Sequence, residues 1–560
     1  MLKINKKSFF TGKLPLLILP IIFFGLLYSG CVQLGKMAAQ MMTTKTSKIN
    51  DAAVQVMYVS NLYPADAGTT ETDFFEKEWR PGRSFVSINF VKRKGVGFYE
   101  INGEVKVNNE PLKHIANGFY GKFVDTVDNN PQTFRVTTTT GEDATFSVDP
   151  PKPVSIISVN GKKENAEVNM NSPLTIEFAD FQKLAKDEKV RVSFLMDVLG
   201  VRTFVDVGIF KPVKKLTIPP EAFKHTAVSS SMKGFTNFKP GKNYLRVERF
   251  SFKKGHNPNV GASQIISEGW AWSPIKITEG AGGETGISIE SPNKKESGFS
   301  YKVNKPNAFS GKPLFKAKKF ALTSLSVRGV LKTVTKETSE HYGFDNTVTI
   351  TTTTRTWQFP QLPDSFWEQL MSNVYKDLEK VLKAEYNITL IPVEKVVKSP
   401  SYAALEPIED ENTEVKIAKS YKGTKNLLPT SLGKMVSDIS STFASDRPDS
   451  RMMDELDVDG LISVTLDLAV PKNTEFVLLN PIMAIRMTGL PNGYVVGPTV
   501  YYQGIVHGTG VPFSEAEFAN INALNKIIRK DDLIGMFKKS LQDLAKKEKE
   551  EGYEAIWKLQ

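Results

Sequence analysis

The chain has 560 residues, a length that predicts several domains. Of these residues 40% are hydrophobic and 24% are charged, which predicts a mostly folded protein and argues against a disordered one. The formal net charge is +11, and loss of residues 1–30, which hold four lysines and no acidic residue, would leave +7. Lysines are scattered along the chain instead of forming a basic stripe, which argues against a nucleic-acid partner.

The first 30 residues have the order of a secretion signal. Four lysines, the last of them Lys13, precede an apolar run from Leu14 to Leu27 that contains Pro15 and Pro20. This run is shorter than the roughly 20 residues that a membrane-spanning helix needs. We therefore predict a signal peptide over residues 1–30, with an uncleaved membrane anchor as the alternative.

The only cysteine of the chain follows this stretch directly, in the sequence Tyr28-Ser29-Gly30-Cys31. A single cysteine excludes internal disulfides. The sequence resembles the lipobox of bacterial lipoproteins, although Tyr28 stands where that family prefers leucine. The resemblance implies that Cys31 becomes an acylated, palmitate-bearing N-terminus that holds the protein in a membrane of the cell envelope. An ordinary signal peptide with an incidental thiol is the alternative reading.

The residue after the cysteine bears on which membrane holds the protein. Val32 is not the acidic residue that retains some lipoproteins at the inner membrane, so the outer membrane is favoured. Whether the protein faces the periplasm or the outside stays open. Residues 31–83 show little periodicity, and we predict that they form a tether that leads away from the membrane.

Residues 84–277 have the pattern of two β modules. Alternating segments such as 85–91 and 104–107, separated by turn residues, predict a β-sandwich over residues 84–150. After a proline-rich connection, similar short strands predict a second β-sandwich over residues 151–277. The pair resembles the tandem immunoglobulin-like domains of bacterial surface proteins in its rhythm alone, since it has no Cys–Trp–Cys signature.

The remaining chain divides into a linker and a mixed domain. Residues 278–318 are rich in glycine and lysine without periodicity, which predicts a linker. In residues 319–560, apolar residues spaced three or four apart predict a helix that begins at Pro363-Asp364. Apolar strands surround this helix and two further helices follow at the C-terminus, so we predict an α/β or α+β domain.

The order of helix, buried strand, loop, Asp457-Val458-Asp459-Gly460 and strand is similar to the small α/β domains of some envelope lipoproteins and related proteins. The amino-terminal domain of TolB and the curli-secretion lipoprotein CsgG are examples. This resemblance implies a domain that mediates assembly contacts and carries no chemistry.

The sequence offers no catalytic motif. Five histidines are spread over the chain without a second histidine or a cysteine at metal-ligand spacing: His114, His225, His256, His341 and His507. No nucleophile elbow, metalloprotease helix or Walker loop is present. We therefore expect no enzyme activity, no metal site and no cofactor.

Two segments imitate ligand sites. Glu455, Asp457, Asp459 and Gly460 match the first half of a calcium loop, but Leu466 stands where the loop needs its bidentate glutamate. We therefore interpret these residues as a charged turn that enters a strand.

The second segment is His507-Gly508-Thr509-Gly510, which has too few glycines for a phosphate-binding loop and is followed by Pro512. We expect an ordinary turn at this position.

Trp270 and Trp272 lie two residues apart on a predicted strand and therefore share one face. Such a pair favours a position in the core. On an exterior face the two rings would form a stacking platform for sugars or for a partner protein.

The sequence thus predicts a non-catalytic, membrane-anchored envelope lipoprotein that binds or scaffolds an envelope protein partner. One alternative is an envelope hydrolase with accessory β modules, which would need carboxylates to converge, such as Glu406 with Asp457 or Asp459. The other alternative is a glycan-binding surface lipoprotein that uses Trp270 and Trp272.

Overall fold

The computed structural model divides the chain into two compact units: among the described residues, the first contains those up to residue 279 together with Leu559, and the second contains those from residue 286 to residue 558. The structure describes residues 43–62, 82–93, 97–125, 128–179, 188–198, 201–224, 243–255, 257–279, 286–291, 298–308, 310–330, 332–342, 348–358, 362–403, 405, 407, 415–427, 447–469, 478–490, 498–512 and 521–559. Strands predominate in both units, and most helices lie in the second.

In the described residues, the first unit is built from strands and one short helix. Its elements are β1 (Thr43–Thr46), β2 (Ala52–Ser60), β3 (Ser84–Lys92), β4 (Phe98–Ile101), β5 (Gly103–Val107), β6 (Glu110–Pro111), β7 (His114–Ala116), β8 (Phe119–Val124), β9 (Gln132–Thr138), β10 (Asp143–Val148), β11 (Ile156–Val159), β12 (Ala166–Asn169), β13 (Leu174–Phe178), β14 (Glu188–Val198), β15 (Val201–Phe210), β16 (Lys215–Ile218), α1 (Pro220–Lys224), β17 (Asn243–Gly255) and β18 (Ala262–Glu279).

An 11-stranded sheet organises this unit. Its strand order is β1-β4-β3-β2-β18-β17-β14-β15, and β8, β7 and β12 attach beside this path. The long strand β18 pairs in parallel with β2 along residues 262–269 and with β12 along residues 275–279. Along residues 263–275 it pairs antiparallel with the whole of β17. We call this sheet the central sheet.

Two smaller sheets complete the unit. The sheet β10-β9-β5-β6 packs against β2 and β3 of the central sheet. Phe134 and Phe146 from one layer meet Val56, Ile88 and Phe90 from the other in a fully apolar core. This two-layer packing buries the apolar side of each alternating strand. The sheet β11-β13-β16 is the third sheet of the unit.

Two sequence expectations are wrong here. The tether predicted for residues 31–83 contains β1 and β2, and β2 is buried inside the central sheet. The modules predicted for residues 84–150 and 151–277 share the central sheet, because β2 and β3 join β18, β17 and β14. Sequence periodicity shows that a strand exists but does not show which distant strand it pairs with.

The second unit has these elements: β19 (Gly286–Glu290), β20 (Phe299–Pro306), β21 (Lys319–Val330), β22 (Lys332–Tyr342), β23 (Val348–Gln358), α2 (Asp364–Tyr386), β24 (Thr389–Leu390), α3 (Val393–Val397), α4 (Pro400–Ala403), β25 (Val415–Ser420), α5 (Pro448–Leu456), β26 (Gly460–Ala469), β27 (Leu478–Gly489), β28 (Thr499–Gly508), β29 (Val511–Pro512), α6 (Ile521–Ile528), α7 (Lys530–Glu550) and α8 (Tyr553–Lys558).

A nine-stranded mixed sheet of order β19-β20-β28-β27-β26-β21-β24 forms the base of this unit, with β25 and β29 beside it. Strand β21 runs parallel to β26 and β24. Helix α7 packs on the sheet, where Phe537 meets the ring of Tyr502 at 5.4 Å between centroids. The Tyr386 hydroxyl of α2 donates to the Leu541 carbonyl of α7 at 2.9 Å, which joins the two long helices.

The sequence predicted α2 correctly. Its apolar positions Trp367, Leu370, Val374 and Leu378 are all buried. The linker predicted for residues 278–318 is wrong, because β19 and β20 lie within it and belong to the nine-stranded sheet. In β20, buried residues alternate with outward lysine and asparagine. The segment around this strand is rich in glycine and lysine, so its composition indicates a linker although the short alternation is present.

Strands β22 and β23 form a separate two-stranded ribbon, paired from Lys332 with Gln358 to Tyr342 with Val348. Ile350 on this ribbon is 62% exposed. Across the described residues, no helix has both the length and the apolar character needed to cross a membrane.

Candidate functional site

Strand register brings aromatic and charged side chains to one side of the central sheet. On β18, Trp270 and Trp272 lie opposite Glu248 and Arg246 of β17. On β14, Ser193 lies opposite Arg246. Because side chains alternate between the two sides of a strand, these five residues share one side. We call this side the aromatic face; its members are Met57, Phe85, Ile115, Phe119, Leu195, Phe204, Tyr244, Arg246, Glu248, Trp270 and Trp272.

The aromatic rings meet edge to face. The centroids of Trp270 and Trp272 are 5.9 Å apart with an interplanar angle of 73°. Phe204 lies 6.2 Å from Trp270 and 6.0 Å from Trp272. The guanidinium carbon of Arg246 sits 3.7 Å from the Phe204 centroid and 4.5 Å from that of Trp270, which is cation–π geometry. The rings therefore enclose the arginine.

Hydrogen bonds fix both tryptophans. The Trp270 indole N–H donates to Glu268 Oε2 at 3.0 Å, and the Trp272 indole N–H donates to the Asn61 carbonyl at 2.9 Å. Asn61 in turn donates through Nδ2 to the Trp270 carbonyl at 2.8 Å. Buried indole N–H groups need such partners. Glu268 therefore fixes the ring of Trp270, and Asn61, directly after β2, fixes the ring of Trp272 and the backbone of Trp270.

Charged groups lie beneath the rings and are paired with one another. Glu248 is 1% exposed and contacts Arg246 Nη2 at 2.5 Å and Arg191 Nη1 at 3.3 Å. Arg246 also donates to the Ser193 hydroxyl at 3.3 Å. Burial raises the pKa of Glu248 to about 7, because lost solvation outweighs the attraction of the two arginines.

The rim of the aromatic face remains partly exposed. Trp270 is only 9% exposed and belongs to the core of the face. The partly buried apolar side chains around it are Met57, Ile115, Phe119, Phe204 and Trp272. The face thus combines a centre of paired charges with an apolar edge that reaches the surface.

The sequence correctly placed Trp270 and Trp272 on one side of a strand, and Trp270 occupies the core position that the sequence favoured. A flat platform made of both rings is not present, because Trp270 is buried and the rings are steeply tilted. The sequence reading missed Phe204, Arg246 and Glu248. In β17 the alternation of Tyr244, Arg246 and Glu248 was the available signal, but inward charges resemble an exterior strand.

The other residues singled out from the sequence do not converge on a site. Cys31, Glu406, His225 and His256 lie outside the described residues. The imidazole Nε2 of His114 accepts a hydrogen bond from the Gly118 backbone N–H at 3.1 Å. The remaining two, His341 and His507, lie in β22 and β28. Within the part of the chain that the structure describes, no three histidine, cysteine or acidic side chains are grouped to hold a metal ion.

The acidic turn before β26 has a structural role in the second unit. Asp457 ends α5 in a left-handed conformation with φ of 50° and contacts Lys319 Nζ at 2.8 Å. Asp459 accepts hydrogen bonds from the backbone N–H groups of Lys318 and Lys319 at 2.7 and 3.0 Å. The two carboxylates therefore hold separate partners instead of facing a common ligand.

The segment from His507 to Gly510 lies at the end of one strand and before another strand, and not at the start of a helix. His507 and Gly508 end β28, and β29 follows after a short turn. The Thr509 N–H donates to the Gly298 carbonyl at 2.8 Å, which ties this turn to the start of β20.

A second buried charge pair lies in the second unit. Lys305 of β20 is paired with Glu548 of α7, and its Nζ also donates to the carbonyls of Lys312 and Tyr501, each at 2.9 Å. Burial lowers the pKa of Lys305 and raises the pKa of Glu548. All three donors of the ammonium group therefore meet internal acceptors.

Comparisons with known proteins give little further information. No family model matches the chain, and no curated protein matches it. Dimeric latent PorU from Porphyromonas gingivalis is similar over 55% of this chain and 30% of its own, at 10% identity and a TM-score of 0.12.

The Bacteroides ovatus protein SGBP-B of a mixed-linkage glucan utilization locus, solved with a mixed-linkage heptasaccharide, is similar over 60% of this chain and 89% of its own. Its identity is 10% and its TM-score is 0.09. Both TM-scores are too low for either likeness to carry an argument.

Proposed function

We propose that this protein is a non-catalytic envelope lipoprotein, anchored in a membrane through Cys31, that binds a protein partner through the rim of the aromatic face. One observation carries the proposal: partly exposed apolar side chains surround a centre whose charges are already paired. An apolar surface with a rigid aromatic centre is the usual composition of a protein-binding hot spot.

The internal pairing of Glu248 supports a binding role over catalysis. A general acid or base must have its carboxyl group within reach of a substrate proton. Glu248 is instead enclosed and held by Arg191 and Arg246. The proposed role is therefore assembly within the envelope, with no cofactor.

A glycan is the second candidate ligand, because aromatic side chains at a surface also stack on sugar rings. The tilt of 73° between the two tryptophan rings disfavours it, since sugar platforms need an accessible ring face. A protein partner can instead insert side chains between rings that meet edge to face.

The lipid anchor is a separate part of the proposal, and it rests on the order of residues 1–31 in the sequence. We propose the outer membrane as its location. The immunoglobulin-like subtype of the first unit and the likeness of the second unit to the TolB and CsgG domains also remain proposals. Metabolic labelling with an alkyne palmitate analogue should mark the natural chain and leave Cys31→Ser unlabelled. Labelling of Cys31→Ser would contradict acylation at this residue.

Site-specific photo-crosslinking tests the aromatic face. A photoreactive phenylalanine analogue replaces Phe204 in the full lipid-anchored chain, and the control places it at Ile157, which is 47% exposed elsewhere in the first unit. We expect one protein adduct from position 204 and none from position 157. The same adduct should disappear when Trp272→Ala is added, because the rim loses its largest ring.

Equal crosslinking from both positions, or none from either, would contradict the proposed face. Binding of the purified chain on a glycan array, lost in Trp272→Ala and absent from crosslinks to protein, would favour the glycan alternative instead.

A further inference from the structure

The connection between β10 and β11 lies directly on the central sheet, on the side opposite the aromatic face. A Cβ built on Gly269 of β18 would fall 2.1 Å from the carbonyl oxygen of Lys152. Arg249 Nη1 donates to the Pro153 carbonyl at 3.4 Å. The absence of a side chain at Gly269 therefore lets the connection touch the strand backbone.

Ion pairs hold this connection at both ends. Lys152 Nζ lies 2.6 Å from Glu188 Oε1, and Arg249 Nη2 lies 2.9 Å from Glu188 Oε2. Lys253 Nζ lies 2.7 Å from Asp149 Oδ2. These three cations and two carboxylates give the five charged groups a formal net charge of +1.

The connection and the sheet enclose a cavity of about 70 Å³, which we call the clasp pocket. Its lining consists of Asp149, Pro150, Lys152, Glu188, Arg249, Phe250, Ser251, Lys253 and Ser267. A single water needs roughly 10–15 Å³ of such space, so the clasp pocket has room for a small polyatomic ion. Ser251 and Ser267 lie opposite each other on β17 and β18 and supply hydroxyl groups.

One buried donor in this lining is unsatisfied. Arg249 is 6% exposed, and its Nε has no hydrogen-bond partner within the described part of the chain. A buried N–H without an acceptor is costly, and native structures rarely retain one without a water, ion or ligand beside it. An arginine N–H in a pocket of net positive charge suits an oxyanion acceptor.

We propose that the clasp pocket binds a phosphate-type oxyanion, with Arg249 Nε as donor and Lys152 and Lys253 as the neighbouring positive charges. The anion neutralises the excess charge of the lining and satisfies the buried donor. Inorganic phosphate and the phosphate group of a lipid head group share this chemistry. The site is independent of the aromatic face and of its proposed partner.

Isothermal titration of the full-length, lipid-anchored protein in neutral detergent with inorganic phosphate tests the site at low salt. Lys253→Gln removes one charge from the lining, and we expect affinity to fall about tenfold, the usual effect of losing a charge-assisted hydrogen bond. Its matched control is Lys276→Gln, which removes an exposed lysine of β18 that lies 3.8 Å from Glu167. The control should bind as the natural chain does.

Arg249→Lys is a second variant, since it keeps the charge and removes the Nε donor. We expect weaker phosphate binding in this variant too. If Arg249→Lys does not fold, the comparison of Lys253→Gln with Lys276→Gln alone tests the site. No phosphate binding by the natural chain up to about 10 mM, a weak-binding limit, overturns the proposal. An equal loss in Lys253→Gln and Lys276→Gln also overturns it, because it would reflect general surface charge.

Flotation with phosphatidylcholine vesicles, with and without phosphatidic acid, distinguishes the two sources of phosphate. A stronger response to phosphatidic acid in the natural chain and in Lys276→Gln than in Lys253→Gln assigns the site to a lipid head group. If phosphatidic acid increases vesicle binding equally in all three proteins, while inorganic phosphate binds more weakly to Lys253→Gln than to Lys276→Gln, the site is assigned to free phosphate.

Discussion

Both units bury a carboxylate beside a β-sheet, but in opposite settings. In the second unit, Glu548 is a buried residue of α7, and all three N–H groups of its partner Lys305 donate to internal acceptors. In the first unit, Glu248 lies beneath aromatic rings whose outer members reach the surface. The comparison teaches that one buried charge meets only internal acceptors, whereas the other lies behind an apolar rim, which is the surface proposed to bind a partner.

Lys305→Met should have the largest effect. It leaves Glu548 buried without its cation, and breaking such a pair typically costs about 3–5 kcal/mol of unfolding free energy. Hydrogen exchange of β20 and β28 in the full chain should accelerate accordingly, while β17 and β18 stay protected.

The double variant Lys305→Met with Glu548→Leu is the matched control, because it removes both charges. It should recover most of the protection in β20 and β28. If the double variant were as unstable as Lys305→Met, the pair would not be the reason for the loss, and the proposed contrast between the units would fail.

Glu248→Gln should change how the stability of the first unit depends on pH. The pKa of Glu248 is raised from 4.5 to about 7 in the folded state, so the folded chain binds the extra proton. Its stabilising contribution is complete below about pH 4.5 and is lost as the pH rises to 7, at about 1.4 kcal/mol per pH unit.

The natural chain should therefore lose about 3 kcal/mol between pH 4.5 and 7 relative to Glu248→Gln, which has no such proton to lose. Denaturant midpoints of the first unit, followed by exchange in β17, measure this difference. Glu104→Gln, which removes an exposed carboxylate of β5, is the control. If the stability difference between the natural chain and Glu248→Gln did not change with pH, the raised pKa of Glu248 would be contradicted.

The features of the two units that depend on local sequence pattern could be predicted from the sequence. The helix α2 follows from the spacing of Trp367, Leu370 and Val374, and the shared side of Trp270 and Trp272 follows from strand alternation. Each inference needs only a few neighbouring residues, because helix and strand periods are local properties.

The rest depends on contacts between distant segments. The pairing of β2 with β18 joins residues about 200 positions apart, and no local pattern encodes it. Glu248 and Lys305 appear as surface residues in their strands, because a charged side chain at an inward position looks like an exterior one. Only the position of the opposing arginines, or of α7, shows that these charges are buried.

Gly269→Ala tests how the first unit covers its sheet. The new Cβ would meet the Lys152 carbonyl oxygen at 2.1 Å, so the connection must shift, at a cost of about 1–3 kcal/mol. Gly255→Ala in β17 is the control, since its nearest atom is the Ser263 hydroxyl oxygen, which can rotate away, and the next is the Ser263 Cβ at 3.0 Å instead of a backbone oxygen at 2.1 Å. Thermal unfolding should separate the two variants, and equal midpoints would mean that the connection does not press on β18.

Gly535→Ala should have the smallest effect and the opposite sign. Gly535 is exposed inside α7, and a Cβ there meets no atom within 4 Å, so alanine should stabilise the second unit by about 0.5–1 kcal/mol. Gly141, in the turn between β9 and β10, has the same open space but a φ of +85°, where alanine is strained. Gly141→Ala should therefore destabilise the first unit. Because neither position is crowded, opposite shifts in the two unfolding transitions would isolate backbone conformation as the cause, and shifts of the same sign would exclude it.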